Sequence, residues 1–289
     1  PANQEFILVR YIQSFSKIIF QILQIILIVR INSFLVYTLI LLLDNLTQYI
    51  LFKIHYNKNY SYINKSKEKY QGLSRDIKNL FWHKLAGLIV FNTDLILISK
   101  FVSIEIVGIY ASYQLVLQMI TTLINVVINV IKPKLGRFIS LNSKDKIYEL
   151  FRDTNVIFLY LGILFSYCTY ILINDFIVIW IGREYILENF TIKLIIINLF
   201  VNIFRGILEN FKEVSGFFDD IQSPILEAII NFIFSVILGM KYGLNGIIIG
   251  TIISNVTIIL IYKPILVFRR CFEKDIKEYI KVYGNYLIY

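Results

Sequence analysis

The sequence predicts an all-α, polytopic membrane protein of about eight transmembrane helices. Three observations predict it. Hydrophobic residues make up 57% of the chain and charged residues only 17%, with a mean hydropathy of +0.67; a soluble domain carries about 25% charged residues, because its surface has to stay hydrated. Apolar runs near 20 residues recur along the chain, and at 1.5 Å rise per residue each crosses a hydrocarbon core about 30 Å thick. Four prolines and thirteen glycines leave little material for a turn-rich β protein, and the short alternating strands of an outer-membrane barrel do not occur.

The runs fall at 11–29, 34–52, 80–99, 104–130, 154–173, 191–211, 224–240 and 243–263. The segments between them alternate in basic content. Residues 53–79 hold seven Lys/Arg, while 131–152 and 263–285 hold six each; Arg30, Lys100, Arg183 and Lys241 stand alone in the others. Cytoplasmic loops collect Lys and Arg, so the basic segments and both visible ends are expected inside; the high Ile, Lys and Tyr content suggests an AT-rich bacterial genome, and with it a bacterial plasma membrane. Segment 212–222 dissents, with Lys212 against Glu213, Asp219 and Asp220; acidic residues weigh little in this rule, and alternation still puts it inside. The net charge of +9 follows from the same bias, helped by anionic lipid headgroups. It does not point to nucleic acid, for which no recognition motif is present.

Catalytic and metal-binding patterns are missing from the sequence. Cys168 and Cys271 form no metal spacing and are not expected to pair. His55 and His83 cannot make a ligand set, and no phosphate-binding loop, GxSxG or HExxH occurs. The expectation is a protein that is not an enzyme and uses no cofactor. Pro1 stands where a start methionine would be, and Tyr286-Leu287-Ile288-Tyr289 reads as the first turn of another apolar segment. An internal piece of a longer chain is expected.

Polar side chains inside the apolar runs are the informative ones. In 191–211, Asn198, Asn202, Arg205 and Glu209 are spaced four, three and four apart, and Lys212 extends the row. At about 100° per residue they share one helix face. Gln114, Gln118, Thr122, Asn125 and Asn129 share a face of 104–130, continued by Lys132. The first run aligns Gln13, Lys17, Gln21 and Gln24; the second aligns Tyr37, Asp44 and Gln48. His83, Gly87 and Asp94 lie on one side of 80–99 with Lys84 beside them, and Glu227, Asn231 and Ser235 run along 224–240.

A charge at the bilayer centre costs about 3 kcal/mol on insertion scales, so such residues face protein or water. Six striped helices exceed what interhelical hydrogen bonding usually needs. The reading is a shared water-filled cavity lined by Gln24, Gln118, Asn125, Asn129, Asn198, Asn202 and Asn231. Lys17, Lys84 and Arg205 fall in the inner thirds of their helices and suit an anionic headgroup, since phosphates are held by Arg forks and Lys point charges. Asp44, Asp94, Glu209 and Glu227 are the candidate coupling or gating acids. Against these stand plainer readings: Lys84 reaching to the interface, Arg205 pairing with Glu209, Asp94 in a static hydrogen bond, and Glu227 complementing a helix dipole. The run 154–173 carries no charge and is expected to be a scaffold or lipid-facing helix. Gly243, Gly246 and Gly250 are expected to permit close packing.

Several stretches carry a family resemblance. His83-Lys84-Leu85-Ala86-Gly87, Asn92-Thr93-Asp94, Ile98-Ser99-Lys100-Phe101 and Val107-Gly108-Ile109-Tyr110 resemble the Wzx-type polysaccharide flippases. So do Ser215-Gly216-Phe217-Phe218-Asp219, the run from Pro224 through Asn231 with Ser235, Tyr242-Gly243-Leu244-Asn245-Gly246, and Gly250-Thr251-Ile252-Ile253-Ser254. These point to capsule or O-antigen repeat-unit exporters of the multidrug/oligosaccharidyl-lipid/polysaccharide exporter superfamily.

The resemblance implies a two-lobe bundle around a central cavity, working by alternating access. Its substrate class is an undecaprenyl-pyrophosphate-linked oligosaccharide, moved from inner to outer leaflet. Residues 1–52 would be the last two helices of the N-terminal lobe, 53–79 a basic cytoplasmic linker, 80–263 the C-terminal six-helix lobe, and 264–289 a cytoplasmic segment leading into a further helix. About four helices would precede residue 1. Expected partners are the lipid-linked oligosaccharide, membrane lipids, a polysaccharide polymerase and other assembly proteins. Between Phe218 and Pro224 the family pattern leads one to expect an aromatic and basic residues; this chain has Asp219-Asp220-Ile221-Gln222-Ser223 instead. A drug or cation exporter of the same superfamily and a membrane polymerase or glycosyltransferase are the alternatives. The latter usually needs a sizeable extramembrane segment, and 174–190 is short for it.

Overall fold

The fold is seen in a computed structural model that describes residues 6–31, 33–60, 92–217, 220, 222–275 and 277–279, with single positions 77, 81 and 85. Among the described residues there is no strand, and six helices are long and apolar enough to cross a membrane. The chain is an all-α polytopic membrane protein. It forms two compact units, Pro1–Tyr70 and Gln71–Tyr289, so the division falls within the basic segment 53–79.

The first unit is a pair of helices, α1 (Phe6–Ile31) and α2 (Phe34–Asn59), with Ser33 extended between them. Their outward faces carry Ile18, Ile22, Ile25, Leu39, Leu42 and Leu46, all exposed, as lipid contact demands. Polar groups hold the pair together. The Ser16 hydroxyl donates to the Asp44 carboxylate, and the Gln48 amide donates to the same oxygen at 2.9 Å. Gln24 donates to the Tyr37 backbone carbonyl at 3.3 Å. In a medium without water these bonds replace a hydrophobic drive between helices.

The second unit begins, in the described residues, with a helical stretch over 92–101, here α3. α4 (Ile104–Leu141) starts on Ser103, whose hydroxyl accepts from the Ile106 amide as an N-cap. α5 (Lys144–Trp180) buries Phe151, Asn155, Phe158, Gly162, Ser166 and Thr169 along one side and exposes Ile157, Tyr160, Leu164 and Tyr167 on the other. It contains the charge-free run 154–173 and extends past both ends of it, where it carries charged residues such as Lys144, Arg152 and Asp175. α6 (Asn189–Val214) is the most enclosed span, sitting against α4, α5 and α7.

The last long helical stretch, Gln222–Phe272, has 51 residues. Straight, it would reach about 77 Å, more than twice the hydrocarbon thickness. It is folded instead. Within α7 (Gln222–Asn255), Gly243 has φ +59° and ψ −135°, which reverses the chain. Ser235 donates to the Ile247 carbonyl at 3.1 Å and Asn231 to the Thr251 hydroxyl at 2.9 Å, so the two legs run antiparallel. The second leg continues as a π-helical segment, Val256–Tyr262, then α8 (Lys263–Val267) and a second π segment, Phe268–Phe272. The spans expected at 224–240 and 243–263 are these two legs, and the second runs further than expected.

Candidate functional site: a buried charge network

α6 turns its polar row toward the α7 hairpin. Arg205 donates from both arms of its guanidinium to the Glu227 carboxylate, at 2.5 and 2.9 Å. One turn on, Glu209 accepts from Lys263 in a close ion pair, lies 3.0 Å from Lys212, and stands 4.0 Å from Arg205. Lys212 also reaches Asp220 at 3.2 Å, and Asp220 caps the start of α7 by accepting from the Ser223 amide at 3.2 Å and from its hydroxyl. Lys263 closes the circle 3.9 Å from Glu227.

Three cations, Arg205, Lys212 and Lys263, therefore meet three carboxylates, Glu209, Asp220 and Glu227, and the formal charges cancel. The side chains of Glu227, Asp220, Lys263 and Lys212 are between 1% and 6% exposed, whereas Arg205 and Glu209 keep about a quarter of their surface open, at 23% and 24%. The network thus has a closed back and one open edge. A lone buried ion carries a desolvation cost of several kcal/mol, and pairing with additional hydrogen bonds offsets it. The π segment just before Lys263 helps place it: i→i+5 winding re-aims the residues that follow.

A second polar layer crosses the same hairpin. The Thr251 hydroxyl donates to the Asp94 carboxylate, 3.0 Å from both oxygens, and accepts from the Asn231 amide. The Tyr110 hydroxyl also reaches Asp94 and Gln114. Asp94 is 6% exposed and faces neutral partners only in these bonds, unlike the carboxylates of the first network. Asn198 accepts from Asn255 at 2.5 Å and its carbonyl from Asn202 at 3.0 Å, which carries the polar row of α6 further along the hairpin.

The expected site residues divide accordingly. Arg205, Glu209, Glu227, Asn198, Asn202, Asn231 and Asp94 all take part in contacts between the helices of the second unit or, for Asn202, within α6. The bare cation expected at Arg205 is instead a matched one, because Glu227 comes to it from 22 residues away. The i,i+4 partner Glu209 is present as well, at 4.0 Å, but Glu227 makes the closer, two-armed contact. Gln118, Asn125 and Asn129 sit on an exposed face of α4. In the first unit, Asp44 and Gln24 are buried in the α1–α2 contact, and Lys17 is exposed. Lys84, with His83 and Gly87, lies outside the described residues.

Lys263 and Asp220 were not among the expected site residues. Lys263 counts toward a basic loop when the last run is ended at 263, yet Pro264-Ile265-Leu266-Val267-Phe268 continues the apolar pattern beyond it. A lysine enclosed by apolar residues on both sides is the signal. Asp220 belongs to the acidic loop that broke the positive-inside alternation, and its pairing with Lys212 gives that exception a physical cause.

Among the described residues no group of three or more His, Cys, Asp or Glu could hold a metal ion. The chain matches no protein-family model, no curated protein and no solved structure. The class that fold and site define is a multi-pass α-helical membrane protein with a buried, internally neutralised charge network.

Proposed function

We propose that this chain is part of a membrane transporter that moves an undecaprenyl-pyrophosphate-linked oligosaccharide from the inner to the outer leaflet. The supporting observation is the network itself. Six charged side chains at one seam between membrane-spanning elements are costly to keep and are rarely kept for stability alone, since a well-packed apolar seam often holds as well. The substrate class comes from the resemblance to the Wzx-type flippases. The chemistry is compatible with it: Arg205 at the open edge offers a fork suited to a phosphate, and Lys263 behind it offers a point charge.

On this proposal the carboxylates hold the site neutral between substrates. An entering pyrophosphate takes over Arg205 and Lys263 from Glu227 and Glu209, and the released carboxylates stay balanced by taking up protons or, for Glu209, by keeping Lys212 at 3.0 Å. The sugars meet amide and hydroxyl side chains, and the lipid tail stays in hydrocarbon, which avoids burying unpaired hydroxyls. Asp94, held by neutral donors, is the group proposed to take up a coupling proton or cation.

A lipid-linked oligosaccharide flipping assay on the full-length protein tests the proposal. Arg205→Ala is expected to lower transport at least about tenfold, the worth of one charge-assisted hydrogen bond, and Lys263→Ala to lower it as well. Undiminished transport in both variants would defeat the cationic-site reading. Efflux of small organic cations with no oligosaccharide transport would favour the drug-exporter alternative.

A further inference from the structure

A second feature lies away from the charge network, between α4, α5 and α6. α4 approaches α6 closely at two glycines: a methyl group on Gly206 would stand 3.1 Å from Ile128, and one on Gly136 would stand 3.3 Å from Val214. Between these two contacts the helices leave a cavity of about 230 Å³. Ile131, Phe158 and Ile207 are among its apolar walls, and Lys134, Thr154 and Asn210 supply its polar groups. Ile131 is 42% exposed and Lys134 is exposed, so the cavity opens at the surface there.

Two polar groups in this crevice are incomplete. Asn210 is 5% exposed, and its Oδ1 has no hydrogen-bond partner among the described residues. A buried acceptor left so stands at a cost unless a donor is supplied. Lys134 forms no ion pair among the described residues, although its neighbour Lys132 is matched by Glu213. The crevice therefore asks for one anion, one hydrogen-bond donor and hydrocarbon together. Its size sets a further limit. A dry cavity of about 150 Å³ accommodates benzene, and pockets for drug-sized ligands begin near 300 Å³; this one has room for a length of a slender chain and not for an oligosaccharide.

We propose that the crevice is a binding site for one anionic phospholipid, with part of an acyl chain between α4, α5 and α6, its phosphate on Lys134, and a headgroup hydroxyl donating to Asn210 Oδ1. Phosphatidylglycerol has all three features. The helices that form the crevice span a bilayer, so such a lipid is at hand, and a lysine near the membrane surface attracts anionic headgroups. The inference does not depend on what the protein transports.

The test is native mass spectrometry of the full-length protein titrated with phosphatidylglycerol or phosphatidylcholine. The wild type is expected to retain one phosphatidylglycerol in preference to phosphatidylcholine. Lys134→Gln is expected to weaken that retention about fivefold, the worth of one basic residue near a headgroup, and Lys134→Arg to preserve it. Thr154→Phe fills the crevice without touching the charge and is expected to abolish it; Ile131→Phe, at the exposed rim, serves the same purpose should Thr154→Phe fail to fold. Equal retention of the two lipids by the wild type overturns the proposal. So does undiminished phosphatidylglycerol binding in Lys134→Gln or in a folded crevice-filling variant.

Discussion

Thr251 shows how much one hydroxyl can carry in a membrane-spanning hairpin. Its single proton goes to Asp94, at 3.0 Å from either oxygen, while the more distant Ile247 carbonyl, at 3.3 Å, is already served by the helix. Its lone pairs take the Asn231 amide. Valine has nearly the same shape and neither function. Thr251→Val would leave a buried carboxyl and a buried amide without their shared partner, and each unpaired group costs about 1–3 kcal/mol. The expected result is a lower midpoint on thermal unfolding of the full-length protein in detergent, with Thr251→Ser close to wild type. Equal midpoints for Val and Ser would show that the hydroxyl does not carry the layer. Arg205 and Glu227 are a harder case at the same scale, because removing either leaves an ion behind in a closed place. Breaking such a pair typically costs about 3–5 kcal/mol, so the loss of transport expected for Arg205→Ala has to be read on protein shown to be folded.

At the scale of elements, the α7 hairpin depends on the small residues along its seam. A methyl group on Gly246 would stand 2.0 Å from the Leu238 carbonyl oxygen, and one on Gly250 would stand 2.4 Å from the Ser235 amide nitrogen. Those neighbours are backbone, so the legs would have to part. Gly108 in α4, by contrast, has nothing within 4 Å of the same position. Gly246→Ala and Gly250→Ala are expected to reduce the yield of folded protein and its melting temperature, while Gly108→Ala is expected to be neutral or slightly stabilising, by up to about 1 kcal/mol of helix propensity. A Gly246→Ala protein as stable as Gly108→Ala would contradict the close approach. The hairpin also shows what periodicity can and cannot reveal. The break near Gly243 and the packing role of Gly246 and Gly250 are legible in the sequence, because an apolar run of that length has to turn and small residues mark the contact. The polar row of α6 is legible as a row. Its partners are not: Glu227 and Lys263 are 22 and 54 residues from the side chains they meet, and helix spacing speaks only about residues one or two turns apart.

For the molecule as a whole, the main change from the sequence reading concerns how charge is carried in the membrane. Stripes of Asn, Gln, Arg and Glu suggest a wet chamber lined with free cations. The second unit shows a network whose six charges sum to zero, closed at the back and open at Arg205 and Glu209. On the transport proposal, a site neutralised in this way would bind an anion only by exchanging partners, whereas a purely structural cluster would keep them. Removing one carboxylate from the open edge should leave a cation in want of an anion, whereas removing the cation should leave the anion nowhere to bind. The deciding measurement is the affinity of full-length protein in lipid nanodiscs for an undecaprenyl-pyrophosphate-linked oligosaccharide, with Glu209→Gln and Arg205→Gln beside the wild type. The account predicts tighter binding for Glu209→Gln and at least about tenfold weaker binding for Arg205→Gln. Affinities unchanged in both folded variants would contradict it.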